Sequence, residues 1–290
     1  MGNSGGGYKS AGRMKLCPPP FIHLMTIEVL MAPAEFAALD QRELRNTTCV
    51  VFDVLRATSS MVTALAHGAA GIAPVSTIAE ALAMRRRRPR ALLAGERNGL
   101  RIGAELTGGA PFDFGNSPRE FVQPGISRRV IIMTTTNGTR ALRACAGANR
   151  VLIASFLNLA STARAVLNEQ PVHLLLVCSG THDQVAQEDV LAAGAFYDLL
   201  WRVSDTAMAS DSALMARMLY LKEKRNLRTA LRRTRNGRRL DSQPELRADV
   251  AFCAERDTVS LVAALGRDGV VRTIRHRRAS GSRKPFSPRT

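Results

Sequence analysis

The sequence predicts an α/β fold, a layered structure with a largely parallel sheet and a helical C-terminal part. Short apolar runs alternate along the chain with segments of helical periodicity, which is the pattern of strand–helix units around a parallel sheet. The strand runs are apolar at consecutive positions, as expected of strands buried on both faces. With 290 residues and 46% apolar composition, the chain is long enough for a full core.

Each predicted element follows from its own pattern. Seven short apolar runs are predicted strands, over residues 26–30, 49–54, 71–75, 91–96, 129–134, 151–155 and 172–178. Five segments have helical periodicity, over residues 60–67, 78–87, 139–145, 159–167 and 188–201. Residues 211–256 are predicted to be mainly helical.

Composition outlines the domain and its surroundings. Residues 25–274 are predicted to form one α/β domain, between a disordered extension (1–24, rich in Gly, Ser and Pro) and a disordered basic tail (275–290). No apolar run approaches the roughly 20 residues that span a bilayer. The five cysteines are widely spaced and include no C-x-x-C pair, which favours reduced cysteines in a cytoplasmic protein.

The net charge of +17 raises the question of nucleic-acid binding. Three of these charges lie in residues 1–24 and seven in residues 271–290, which leaves seven for the rest of the chain. The sequence offers no aromatic platform or recognised nucleic-acid motif. We therefore expect no specific nucleic-acid partner, and a protein that binds nucleic acid through its basic tails stays as an alternative.

Polar residues gather at the carboxyl-terminal ends of the predicted strands. Four segments show this arrangement: "DVLRATSS" (53–60), "GERNG" (95–99), "TTTNGTR" (134–140) and "CSGTHDQVAQED" (178–189). In open α/β sheets, ligands bind outside the carboxyl ends of the strands. We therefore expect the four segments to converge on one crevice.

The carboxylates in these segments suit a divalent cation. Asp53, Glu188 and Asp189 are candidate Mg²⁺ ligands, with Glu96 as a further candidate, because Mg²⁺ prefers carboxylate and water oxygens. Asp53 is alternatively a general base, or one half of a structural ion pair with Arg56. Acidic residues at a helix start also favour the helix dipole, which is the structural alternative for Glu188 and Asp189.

Other polar residues in and near these segments suit an anion. Arginine can hold a phosphate or carboxylate through two hydrogen bonds, and Asn137-Gly138 permits a turn that presents the N–H groups of a helix start. A well-capped helix without a ligand is the alternative for that turn, and His182 is a candidate general acid. The candidate substrate-binding residues are Arg56, Thr58, Ser59, Arg97, Asn116, Thr135, Thr136, Asn137, Gly138 and Thr139.

Absent motifs narrow the chemistry. No second acid follows Asp53 at the spacing that aspartyl-nucleophile phosphatases of the haloacid dehalogenase type require, and the chain has no C-x₅-R motif. Residues 25–274 also lack the phosphate-binding motif G-x-x-x-x-G-K-[ST] and the hydrolase motif G-x-S-x-G. The many acids, arginines and helix starts suggest metal-assisted chemistry on a small, highly anionic compound.

Five segments in order resemble the 2-phosphosulfolactate phosphatase family. They are "VVFDVLRATSSMVTALAHGA", "LLAGERNGL", "FDFGNSPREF", "MTTTNGTRAL" and "VCSGTHDQVAQEDVLAAGA", within a likeness over residues 26–274. The resemblance implies an α/β, Mg²⁺-dependent acid phosphatase that hydrolyses 2-phospho-3-sulfolactate to 3-sulfolactate and phosphate, a step toward coenzyme M. Two departures stand out: a longer, Gly-rich segment at 101–111, and Asn236 where the family commonly has His.

Together the residues and the resemblance give a mechanistic hypothesis. Asp53, Arg56, Glu96 and Glu188 are the predicted catalytic residues, and Mg²⁺ would polarise the phosphoryl group and present a water as nucleophile. The substrate is a small anionic phosphorylated compound. Hydrolysis of another small phosphorylated carboxylic acid is an alternative, and assembly into a homo-oligomer is left open.

Overall fold

The computed structural model describes residues 25–201 and 208–274 of the chain. The predicted extension 1–24 and the predicted tail 275–290 lie outside the described residues. The strands are β1 (Thr26–Leu30), β2 (Thr47–Phe52), β3 (Gly71–Pro74), β4 (Leu92–Arg97), β5 (Leu100–Arg101), β6 (Val130–Thr134), β7 (Arg150–Ala154), β8 (His173–Cys178), β9 (Met208–Ala209), β10 (Val262–Leu265) and β11 (Val271–Ile274). The helices are α1 (Ala57–Ala66), α2 (Ile78–Arg87), α3 (Ala104–Thr107), α4 (Gly138–Ala144), α5 (Leu159–Glu169), α6 (Gln187–Trp201), α7 (Asp211–Glu223), α8 (Leu227–Arg233), α9 (Arg235–Asp241) and α10 (Arg247–Cys253).

The α/β class and the helical C-terminal part are confirmed, and all seven predicted strands are present. The largest error in a predicted boundary is the start of α1, which begins at Ala57 rather than at residue 60. Within this first turn of α1, the hydroxyls of Thr58 and Ser59 each donate a hydrogen bond to a main-chain oxygen five residues back. Strands β5, β9, β10 and β11 were not predicted.

The strands form one sheet in the order β5-β4-β6-β3-β11-β10-β7-β2-β8-β1-β9. One block of mutually parallel strands contains β7, β2, β8, β1 and β9, and a second contains β4, β6 and β3. The antiparallel hairpin β10–β11 joins them, pairing with β7 on one side and β3 on the other. Between β7 and β3 there are three successive antiparallel pairings, and each one reverses the strand direction. The two parallel blocks therefore run in opposite directions.

Side chains alternate between two packed faces along each central strand, as the pleat requires. On β2, Val50 and Phe52 pack on the outer face with helices α5–α10, whereas Cys49 and Val51 pack on the inner face. On the second block, α2 covers the outer face. The sheet is therefore buried on both sides, which accounts for the continuous apolar runs in the sequence.

Helices α1 and α4 lie on the inner face and pack against strands of both blocks. A single core cluster contains side chains of α1 and α4 together with side chains of β2 and β8 from one block and of β4 and β6 from the other. The sheet must therefore curve around these two helices. This curvature matters for function, because it brings together loops that would lie at opposite edges of a flat sheet.

Two further expectations concern the cysteines and the membrane. The cysteines within the described residues, at positions 49, 145, 178 and 253, are buried and free, as predicted. Across residues 25–201 and 208–274, no helix combines the length and apolar character needed to cross a bilayer.

Candidate active site

A cleft between the two strand blocks collects residues from all four predicted segments. It is partly open to solvent and lined mainly by polar residues. The sequence-predicted residues that line it are Asp53, Arg56, Glu96, Asn116, Thr135, Thr136, Asn137 and His182. The predicted convergence occurs, but not because all strands end at one edge of the sheet: β2 and β8 point opposite to β4 and β6.

Asp53 follows β2 and begins the connection to α1. Its Oδ1 accepts a hydrogen bond from the main-chain N–H of Ala57 (3.0 Å), and its main-chain N–H donates to Oγ1 of Thr58 (3.0 Å). The start of α4 lies beside it, because a methyl group added to Gly138 would be 2.8 Å from Oδ2 of Asp53. Only a residue without a side chain fits at position 138, so this glycine allows the loops of the two blocks to meet.

Glu96 organises the opposite wall of the cleft. Its Oε1 accepts hydrogen bonds from the main-chain N–H and the hydroxyl of Thr136 (both 2.9 Å), and its Oε2 accepts from the main-chain N–H of Gly99 (2.7 Å). Both oxygens are thus used in fixing the loops after β4 and β6. Beside them, the buried Oγ1 of Thr135 and Oδ1 of Asn116 have no hydrogen-bond partner within the described residues. Buried polar atoms normally have a partner, so a bound ligand accounts well for both.

Glu188 and Asp189 begin helix α6 behind the cleft, and both are buried. Oδ1 and Oδ2 of Asp189 accept hydrogen bonds from the main-chain N–H groups of Val54 (2.8 Å) and Gly180 (3.1 Å). Oε1 of Glu188 accepts from the side-chain amide of Asn236 (2.5 Å). Asp189 therefore holds the loops after β2 and β8 together, and both of its oxygens are engaged.

Burial and neighbouring carboxylates raise the pKa values of Asp53 and Asp189. Burial, together with the charges of Glu96 and Glu188, raises the pKa of Asp53 to about 7, although the Ala57 N–H bond and Arg56 act in the opposite direction. Burial and the charges of Asp53 and Glu188 raise the pKa of Asp189 well above its usual value. The cluster thus carries more negative charge than its surroundings stabilise.

Arg56 is almost completely buried, with 3% of its surface exposed. Its Nη1 donates to Oδ2 of Asp249 on α10 (2.6 Å), and its Nη2 donates to the main-chain oxygen of Gly99 (2.7 Å). The predicted structural alternative, an Asp53–Arg56 ion pair, does not form. The guanidinium instead has a different carboxylate partner, 193 positions along the chain.

Several predicted substrate-binding residues do not line the cleft. The hydroxyls of Thr58 and Ser59 bond to main-chain oxygens of the same loop, and that of Thr139 bonds to the main-chain oxygen of Thr135. The guanidinium of Arg97 bonds to the main-chain oxygen of Glu96 and the hydroxyl of Thr134. These four side chains support the loops, so direct contact with substrate is no longer their best interpretation.

Six further residues line the cleft: Leu55, Asn98, Gly99, Thr181, Asn236 and Arg239. Sequence reasoning singles out only Asn236 among them, as a departure from the family, and assigns a site role to none. The first four lie within or beside the segments already singled out. Asn236 and Arg239 come from helix α9, in the helical C-terminal part. The side-chain amide of Asn236 donates to both Glu188 and Thr181. The position where this chain has Asn and the family commonly has His therefore lies within the site.

Two of the predicted metal ligands, Asp53 and Glu188, each keep one carboxylate oxygen outside the hydrogen bonds of the described residues. Across the described ranges, no group of three or more His, Cys, Asp or Glu side chains could hold a metal ion. The hydrogen bonds found in this part of the chain engage Oδ1 of Asp53 and Oε1 of Glu188 and leave Oδ2 and Oε2 for a cation. Because Mg²⁺ usually keeps several waters and takes one or two carboxylates, Asp53 and Glu188 are the candidate ligands, whereas both oxygens of Asp189 already accept hydrogen bonds.

Comparisons with known proteins agree with this architecture. A model of the family described as 2-phosphosulpholactate phosphatase matches residues 35–267. Three relatives are each named "Probable 2-phosphosulfolactate phosphatase". The one from Caldicellulosiruptor saccharolyticus is 35% identical over 76% of this chain and 89% of the relative, and the one from Caldanaerobacter subterraneus subsp. tengcongensis is 35% identical over 82% of this chain and 95% of the relative. The one from Symbiobacterium thermophilum is 36% identical over 79% of this chain and 95% of the relative.

The α/β fold, the anion-suited cleft with its buried carboxylates and these relatives together define a phosphatase, an enzyme that hydrolyses phosphoric monoesters. More particularly, the chain belongs to the 2-phosphosulfolactate phosphatase family.

Proposed function

We propose that this chain hydrolyses 2-phospho-3-sulfolactate to 3-sulfolactate and inorganic phosphate in a Mg²⁺-dependent reaction, a step toward coenzyme M. The observation that carries the proposal is the convergence of a buried carboxylate cluster, a buried arginine and unpartnered polar atoms on one cleft. The substrate has a phosphate, a carboxylate and a sulfonate on three carbons, so it needs cationic and hydrogen-bonding partners in a small space. The cleft contains these groups.

In this proposal Asp53 and Glu188 hold the Mg²⁺ ion. When bound, the ion supplies Lewis-acid polarisation of the phosphoryl group and offsets the charge of the carboxylate cluster. Asn236 keeps the Glu188 carboxylate in place through its amide hydrogen bond. Asp189 contributes indirectly, because it fixes the two loops that bring Asp53 and Glu188 together.

The remaining residues bind and orient the substrate. Arg56 and Arg239 face the anionic oxygens, and the polar groups of Thr135 and Asn116 complete the hydrogen bonds. Hydrolysis forms one P–O bond from water and breaks the ester P–O bond, so a proton must reach the departing sulfolactate oxygen. His182 lines the cleft and is our candidate for that donor.

The test is phosphate release by purified protein with Mg²⁺ and with EDTA. We expect activity that requires Mg²⁺, and kcat/KM higher for phosphosulfolactate than for phospholactate or phosphoglycerate. Removing one electrostatic contact costs about 3 kcal/mol of transition-state stabilisation, so Arg56→Ala should lose about two orders of magnitude. Arg42→Ala, at an exposed ion pair with Glu28, is the control. Equal turnover in EDTA would remove Mg²⁺ from the mechanism, and a higher kcat/KM for phosphoglycerate would reassign the substrate.

A further inference from the structure

Asp249 is a buried carboxylate that the sequence did not single out. It lies on α10 with no exposed surface, and three side chains from two distant loops donate hydrogen bonds to it. Oδ2 accepts from Nη1 of Arg56 (2.6 Å), and Oδ1 accepts from Oγ of Ser117 (2.7 Å) and Nε of Arg119 (2.8 Å). Helix α10 thus contacts the arginine of the active site through one buried acid that accepts three hydrogen bonds.

The orientation of Arg56 depends on this acid. A guanidinium carries five N–H donors, and the bonds to Asp249 and Gly99 use one on each terminal nitrogen. The other three have no partner among the described residues, and Arg56 lines the cleft. An arginine held in this way presents its free donors to a ligand without losing rotamer freedom on binding.

Asp249 also determines which carboxylate Arg56 pairs with. Asp53 is close enough to interact electrostatically with Arg56, yet their side chains form no ion pair in the described structure. Without the Asp249 charge, Asp53 would compete for the guanidinium. A direct Arg56–Asp53 pair would occupy both the anion-binding group and a proposed metal ligand.

We infer that Asp249 is a positioning residue of the phosphatase site: it neutralises Arg56 and turns its free donors toward the phosphoryl oxygens. The inference rests on the proposed function only in assigning phosphoryl binding to Arg56. A purely structural ion pair that joins α10 to the loop after β2 is the competing explanation, and it predicts lower stability without a specific effect on phosphate binding.

The decisive variant is Asp249→Asn, which keeps the shape and the Oδ1 acceptor but turns an N–H donor toward Arg56. We expect kcat/KM to fall roughly 10- to 100-fold and the affinity for inorganic phosphate, measured by isothermal titration, to fall about tenfold. Asp198→Asn is the matched control, because it makes the same change at a buried carboxylate bonded to Arg217 on α7 (2.9 Å), away from the cleft. It should lower thermal stability but preserve phosphate affinity.

A double-mutant cycle shows whether Asp249 acts through Arg56. In an Arg56→Ala background, Asp249→Asn should cause little further loss, because the positioned group is already gone. An equal loss in both backgrounds, or unchanged phosphate affinity in Asp249→Asn, would overturn the inference. If Asp249→Asn does not fold, Ser117→Ala removes one bond to Asp249 and leaves its charge. A threefold or greater loss of phosphate affinity is then expected, and no loss refutes the inference.

Phosphate binding separates this inference from the proposed function. A wild-type protein that binds phosphate but does not hydrolyse phosphosulfolactate would refute the proposed substrate, and the comparison of Asp249→Asn with Asp198→Asn would still test the role of Asp249. Full hydrolysis in Asp249→Asn with unchanged phosphate affinity would refute the positioning role alone.

Discussion

The metal-free protein should lose stability as the pH rises, because of Asp53. Folding raises the pKa of this carboxyl from 3.8 to about 7, mainly through burial. The folded state therefore binds the Asp53 proton more tightly than the unfolded state does. This contribution to stability is fully present below pH 4, decreases as the pH rises from about 4 to 7, and is absent above that range.

The size of the effect follows from the change in pKa. Each pKa unit corresponds to about 1.4 kcal/mol, so charging Asp53 lowers the free energy of unfolding by about 4 kcal/mol. For a protein of this length that is on the order of 10 °C in Tm. The raised pKa of Asp189 acts in the same direction. A bound Mg²⁺ ion should reverse the effect, since it stabilises the charged carboxylate and binds the folded state.

The assay compares wild type with Asp53→Asn by thermal unfolding from pH 4 to pH 8, in EDTA and in Mg²⁺. Asparagine has the shape of the protonated acid and no charge, so the variant should match wild type near pH 4 and exceed it in Tm near pH 8 in EDTA. Saturating Mg²⁺ should remove this advantage. The exposed Asp183, which pairs with Arg140, supplies the control Asp183→Asn. A difference between wild type and Asp53→Asn that does not change with pH would refute the reasoning.

Three further predictions concern the loops and the core. Asn236→Asp places an acid against Glu188, so phosphatase activity measured by steady-state kinetics should fall at least tenfold. The control Asn226→Asp keeps a good N-cap for α8 and should change neither activity nor Tm. Wild-type activity in both variants would contradict this prediction. Gly138→Ala places a methyl group 2.7 Å from a side-chain carbon of α1. Phosphatase activity should therefore drop sharply, while the circular dichroism spectrum should show that most of the fold remains. Undiminished turnover would show that the loops separate easily. Phe52→Ala empties a fully buried position of β2 and should cost about 3–5 kcal/mol in urea unfolding; a cost below 1 kcal/mol would mean that the core collapses around the gap.

The parts of the fold that the sequence predicts are those governed by local pattern. Strands such as β6 and β8 are short apolar runs between polar segments, and this burial pattern can be recognised from neighbouring residues alone. Strands β10 and β11 have little such signal, with "VAAL" and "VRTI" as their sequences. They form strands because they pair with β7 and β3, and no local rule foresees that pairing or the reversal of direction it introduces.

The candidate site likewise contains some residues that local sequence reveals and others that depend on how distant segments pack. Asp53, Glu96 and Asn137 are visible from sequence because each lies at or shortly after the carboxyl-terminal end of an apolar strand. The family resemblance drew attention to Asn236, but its hydrogen bond to Glu188 depends on how α9 packs. Asp249 could not have been found, because its role depends on meeting Arg56 across 193 positions of the chain.

The position of the β10–β11 hairpin has a consequence for how the molecule is made. These strands come late in the chain, yet they occupy the middle of the sheet and connect its two parallel blocks. During synthesis, each block emerges before the segment that will join it to the other. The cleft should therefore be completed only in a late, chain-wide step, and nascent chains that stop before residue 262 should contain both sets of site loops without a working enzyme.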